Sequence, residues 1–111
     1  MFKKAERLSR AQFTPLFKTG TRYQTPALTL IYRSDTPLKV AVVVGKKVFK
    51  RAVDRNRTRR RIYAAMYRHF TAQNIKIGSY IIITKPLITT FTRAETGAAI
   101  DSLLALINNP R

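Results

Sequence analysis

The chain has 111 residues, 45% of them hydrophobic, with 22 lysines and arginines against five acids and a formal net charge of +17. That length suits one core and not two, so a single domain over residues 1–111 is expected. So large a positive excess calls for a polyanionic partner rather than a small acidic substrate. There is no cysteine, which excludes disulfides and thiolate metal sites. The opening MFKKAERLSRAQF lacks the apolar stretch of a signal peptide, and no segment reaches the about 18 apolar residues of a membrane span. A cytoplasmic protein with no membrane association is the expectation.

Ser9 followed by Gln12 has the form of a capping box, opening a short helix through Phe13, Leu16 and Phe17 that Gly20 would close as a left-handed residue. Pro15 has no N–H to give, so this helix either kinks there or starts at Thr14 with Pro15 in its first turn. Ala27 to Arg33, ALTLIYR, has strand composition; Ser34 to Pro37, SDTP, is turn-like; Lys39 to Gly45, KVAVVVG, is apolar and β-branched. Together they predict a hairpin, and the unbroken run Val40 to Val44 predicts a strand covered on both faces. SYIIIT, Ser79 to Thr84, is a third buried-strand pattern. Thr92 and Glu95 form a second capping box before a helix with Ile100, Leu103, Leu104 and Ile107 on one face.

Between the second and third of these strands lies RAVDRNRTRRRIYAAMYRHF, Arg51 to Phe70, with seven arginines. In a helix, Arg51/Arg55, Arg55/Arg59, Arg57/Arg60 and Arg57/Arg61 are neighbours, and each like-charge pair costs about 0.2–0.5 kcal/mol. Asp54 alone cannot balance them. Ile62, Met66 and His69 share one direction with Ala65 and Phe70 beside them, a core stripe in which His69 is a packing residue rather than a ligand. Asn56, Arg60, Tyr63 and Tyr67 flank it on one side, and Arg57, Arg61 and Arg68 on the other. A charge run of this kind is either a solvated face or a phosphate-binding one; the scarcity of acids and the interleaved tyrosines favour RNA. Lys46, Lys47, Lys50 and Arg51 add cations where the helix dipole already attracts anions. The residues alone thus describe an α/β protein of order αββαβα, a mixed sheet carrying helices, with a parallel strand pair joined by the arginine helix.

Catalytic chemistry has little to work with. The five carboxylates are scattered, there is a single histidine, and no P-loop, HExxH or GxSxG pattern occurs. No catalytic residue and no metal ligand is assigned.

GKKVFKRAVDRNRTRRRI, Gly45 to Ile62, resembles the signature of the bacterial ribonuclease P protein subunit: a Lys-Lys pair, then Ala, then Arg-Asn-Arg and a further basic pair. Lys46, Lys47, Ala52, Arg55, Asn56, Arg57, Arg59 and Arg60 fill those positions. FTPLFKTGT, Phe13 to Thr21, is similar to the family's first-helix stretch, and SYIIITKP, Ser79 to Pro86, to its third strand.

The resemblance implies an α/β sandwich of order αβββαβα with a left-handed βαβ crossover, where the general preference is right-handed. It also implies a protein that assists a catalytic RNA in the Mg²⁺-dependent removal of the 5′ leader from precursor tRNA, the Mg²⁺ being held mainly by the RNA. Lys46, Lys47, Lys50, Arg51, Arg55, Asn56, Arg57, Arg59, Arg60, Arg61 and Arg68 would then hold the ribonuclease P RNA. A cleft between the first helix and the sheet, with Phe13, Phe17 and Ile31, would take the single-stranded leader, one protein serving one RNA. For Phe13 and Phe17 the competing expectation is ordinary core packing. The alternative function is a structural RNA-binding protein of the ribosomal kind; a major-groove DNA-binding module and an independent nuclease stand behind it.

Overall fold

The computed structural model describes Phe2 and residues 6–108. Lys3 and Lys4, on which the reading of the N-terminus partly rests, lie outside the described residues. Ser9 caps α1 (Arg10–Thr19) with both halves of the capping box in place: its Oγ accepts from the Gln12 N–H at 3.2 Å, and its own N–H donates to Gln12 Oε1 at 2.9 Å. The helix runs through Pro15 and does not begin at Thr14. Ala11 and Pro15 are both exposed, so water can satisfy the carbonyl that proline leaves without a partner.

Gly20 ends α1 in an extended conformation, φ −68° and ψ 155°, and not in the left-handed one expected. The need for glycine is spatial: a Cβ there would lie 2.5 Å from Ile31 Cγ2 and 2.9 Å from the Leu16 carbonyl oxygen. The chain turns so sharply into the sheet that only a hydrogen fits.

The sheet has four strands, β1 (Thr21–Gln24), β2 (Leu28–Pro37), β3 (Lys39–Val43) and β4 (Ile77–Thr84), in the spatial order β1-β2-β4-β3. With α2 (Ala52–Ala72), a 3-10 turn at Pro86–Thr90 and α3 (Arg93–Asn108), the order is αβββαβα. The antiparallel hairpin is β1–β2, with Thr21 opposite Tyr32 and Gln24 opposite Thr29. The hairpin expected between β2 and β3 does not form, because β4 lies between them, antiparallel to β2 and parallel to β3. Tyr80, Ile81 and Ile82 are apolar on both faces and fully buried, which is the composition of a central strand. The stretch expected as a turn, Ser34 to Pro37, is the irregular end of β2, where the register shifts between Arg33 and Pro37. β3 takes the edge. Accordingly Val40 and Val42 are buried while Ala41 and Val43 are half-buried, so it is not equally covered on both faces.

Two layers close the sheet. Leu28, Leu30, Val40, Val42, Tyr80 and Ile82 meet Ile62, Ala65, Met66 and Phe70 of α2 and Ile100, Leu103 and Leu104 of α3. On the opposite face, Leu16 of α1 covers Ile31 and Ile81. The capping box of α3 is formed as expected, the Thr92 N–H donating to Glu95 Oε1 at 2.8 Å and the Glu95 N–H to Thr92 Oγ1 at 3.1 Å.

Candidate nucleic-acid interface

The crossover from β3 enters α2 through a turn closed by the Val48 and Phe49 N–H groups, both donating to the Gly45 carbonyl. Lys46 and Lys47 are exposed on this turn and Lys50 just after it. Arg51 is the N-cap and makes no side-chain capping bond. Its guanidinium turns to Asp54, Nε to Oδ2 at 3.0 Å, and Arg57 Nη1 reaches the other carboxylate oxygen at 3.6 Å. Asp54 therefore partly neutralises two arginines in the first turns, where its own charge also suits the helix dipole.

The remaining arginines divide by what they touch. Arg55 Nη1 donates to the carbonyls of Phe49 and Lys50 at 3.0 and 2.8 Å, tying the turn to the helix. Arg59 Nη1 donates to Asn56 Oδ1 at 2.7 Å, so this pair is held in one orientation. Among the described residues, Arg60, Arg61 and Arg68 meet no carboxylate within ion-pairing distance. These three, with Arg57, line a groove toward α3, whose Arg93 joins them. Arg93 is a residue that sequence reasoning missed, since one arginine at a helix start carries no pattern.

Other side chains of α2 are placed differently from expectation. Tyr63 and Tyr67 lie edge-on to Phe2, with ring centroids 6.0 and 5.4 Å away, so they pack on the N-terminal segment. The buried stripe is Thr58, Ile62, Ala65, Met66 and Phe70; His69 is half-buried at its edge, its ring against that of Phe70.

Across the sheet, Phe13 and Phe17 of α1 stack with centroids 5.8 Å apart and planes 15° from parallel. Phe13 is half-buried against the Leu16–Ile31–Ile81 cluster, while Phe17 is 38% exposed. Half-buried Ala41, Val43 and Ile83 belong to the same sheet face. Ile31 is on this face as expected but is 0% exposed beneath α1, so it supports the site from below and has no surface to offer a ligand. Arg22 is a second missed residue. It sits opposite Ile31 in the β1–β2 pair, and its guanidinium lies over the Phe17 ring.

Among the described residues no three His, Cys, Asp or Glu side chains gather as a metal-binding group. No described helix is long and apolar enough to cross a membrane. The chain is a small basic α+β sandwich, with arginines on one helical layer and a partly exposed aromatic pair on the other. A family model described as ribonuclease P matches residues 2–108. The chain is 36% identical over 97 residues to the ribonuclease P protein component of Xanthomonas euvesicatoria pv. vesicatoria (strain 85-10), covering 86% of this chain and 66% of that protein. To the ribonuclease P protein component of a Nitratiruptor species it is 32% identical over 78 residues, 70% of this chain and 69% of the other. It spans 64–66% of the length of the Xanthomonas relatives it matches. The solved Staphylococcus aureus RNase P protein shares the fold at a TM-score of 0.75 and 18% identity, over 94% of this chain and 96% of that one. The RNase P protein from Thermotoga maritima does so at 0.67 and 18%, over 95% and 97%. The chain belongs to the ribonuclease P protein family.

Proposed function

We propose that this protein is the protein subunit of a ribonuclease P holoenzyme, binding the catalytic RNA and the 5′ leader of precursor tRNA and so assisting endonucleolytic maturation of tRNA 5′ ends in the cytoplasm. The observation that carries this reading is the set Arg60, Arg61 and Arg68 on one helix, unmatched by any carboxylate among the described residues. An uncompensated guanidinium surface of this kind is completed by phosphate, which the planar fork binds through two N–H groups.

Lys46, Lys47, Lys50, Arg51, Arg55, Asn56, Arg57, Arg59, Arg60, Arg61 and Arg68 hold the ribonuclease P RNA in this reading. Arg55 and Asn56 act in part by fixing the turn and Arg59. Phe13 and Phe17 take leader bases on the other side of the sheet, stacking being worth about 1–3 kcal/mol per base. Mg²⁺ serves the reaction from the RNA, and one protein joins one RNA. Hydrolysis belongs to the RNA in this reading, the protein's part being to bring leader and RNA together.

A binding titration over a range of salt concentrations tests this. Ribonuclease P RNA should bind more tightly than a ribosomal RNA fragment of equal length, with log affinity falling by about 0.7–0.9 per phosphate contact for each decade of salt. Equal affinity for the two RNAs would favour the ribosomal reading instead.

A further inference from the structure

The groove between α2 and α3 has features that a basic crossover helix alone does not require. It is a cavity of about 370 Å³ lined by Arg57, Arg60, Arg61 and Arg68 from α2 and Arg93 from α3, with Ala64 and Gly97 between them. Arg68, Arg93 and Gly97 also border an adjoining hollow between α2 and α3, which Asp101 lines as well. Arg93 occupies the first turn of α3, where the helix dipole disfavours a cation. The nearest acid in sequence, Glu95, is turned back onto the Thr92 N–H in the capping box. Among the described residues no carboxylate lies within ion-pairing distance of Arg93, and Asp101 shares only the adjoining hollow with it.

Gly97 keeps the groove wall low between these arginines. It lies within α3, and glycine is among the poorest helix formers. Its backbone does not have the positive φ that would require glycine, a property found among the described glycines at Gly78. What glycine provides is room: a Cβ at this position would lie 3.3 Å from Arg68 Nη2. The exposed Arg68 side chain can give by the few tenths of an ångström that a methyl needs, whereas a long side chain here would reach into the groove.

We propose that the α2–α3 groove seats a phosphodiester stretch of RNA, with Arg93 and Arg68 as phosphate ligands on its two walls and Gly97 keeping it open. This rests on the function proposed above and extends the RNA surface from the crossover helix onto α3. The occupant is a nucleic-acid backbone because the walls are guanidinium forks and the floor is small and featureless. Such a site reads charge and spacing and leaves bases unread.

Three variants that each lower the net charge by one unit separate the groove from bulk electrostatics: Arg93→Ala, Gly97→Glu, and Leu106→Glu at an exposed site elsewhere on α3. Binding of ribonuclease P RNA is measured across salt, with thermal melting and the precursor-to-mature tRNA preference of the holoenzyme measured alongside. Arg93→Ala and Gly97→Glu should weaken binding about ten-fold and lower the salt slope by about 0.7–0.9 for the lost phosphate contact, the tRNA preference staying as in the parent. Leu106→Glu should bind as the parent does. If folded Arg93→Ala and Gly97→Glu bind no worse than Leu106→Glu, the groove is not a phosphate site. Failure of the parent protein to bind the RNA at all would instead overturn the function on which the groove proposal rests.

Discussion

The guanidinium carbon of Arg22 lies 4.8 Å from the centre of the Phe17 ring, and Arg22 Nη2 donates to the Phe17 carbonyl at 2.7 Å. The first strand thus holds the exposed ring of the first helix by its face and by its backbone. With Phe13 stacked on the same ring, Phe17 is positioned without being buried. A ring in that state loses little when it binds a base, since its rotamer is already set.

Phe17→Ala should therefore cost well under the about 3 kcal/mol of a buried phenylalanine, while lowering holoenzyme affinity for precursor tRNA about five- to a hundred-fold through lost stacking. Affinity for leaderless tRNA should hardly change. Ile31→Ala makes the contrast, because Ile31 is fully enclosed by Leu16 and Ile81. It should cost about 2–5 kcal/mol of stability and weaken both substrates together. Chemical denaturation measured beside the two affinities distinguishes these outcomes.

Arg55 and Arg60 belong to the same basic run but should respond differently to alanine. Arg55 closes the β3–α2 turn through two backbone carbonyls, so its loss should cost about 1–3 kcal/mol of folding stability. Arg60 makes no such bonds, and its removal should leave melting within about 0.5 kcal/mol of the parent while flattening the salt dependence of RNA binding. Equal melting of the two variants would show that the Arg55 bonds contribute nothing to the fold.

Gly20→Ala tests the junction of α1 and β1. Its φ of −68° is open to alanine, so a purely conformational account predicts no penalty, or a gain from lower unfolded-chain entropy. The added methyl would lie 2.5 Å from Ile31 Cγ2, and an overpacking cost of about 1–3 kcal/mol is expected. Gly45→Ala, with nothing within 4 Å of the added Cβ, should be tolerated.

Tyr80 carries a pH dependence. Burial pushes its hydroxyl well above the ordinary tyrosine value, helped by the neighbouring Tyr32. The folded state then keeps a proton that the unfolded chain releases near pH 10, so this contribution is complete below about pH 10 and is lost as pH rises beyond it. Unfolding free energy measured from pH 8 upward should fall less steeply for Tyr80→Phe than for the parent. Parallel curves for the two would remove the burial argument.

Much of this architecture was legible locally. The capping boxes at Ser9 and Thr92 depend on residues three apart, and both are built as the sequence predicts. The apolar faces of α2 and α3 followed from helical spacing, with His69 the residue set too deep. The strand order was not legible, because β2 and β3 are consecutive in the chain and the choice to insert β4 between them is made by the whole sheet. β1 escaped the reading of residues alone for a related reason: TRYQ is largely exposed and polar, and only its partner β2 makes it a strand. At the candidate interface the arginine run and the Phe13–Phe17 spacing were visible. The roles of Arg22, Arg55 and Arg93 were not, since each is defined by a neighbour distant in sequence or by a backbone carbonyl.

The central claim is most directly tested by precursor-tRNA cleavage with a bacterial ribonuclease P RNA at low Mg²⁺, with and without this protein. Added protein should raise the cleavage rate and leave the cleavage site at the mature 5′ end, while protein without RNA should cleave nothing. An unchanged rate with folded, RNA-competent protein, or cleavage by the protein alone, would contradict the account.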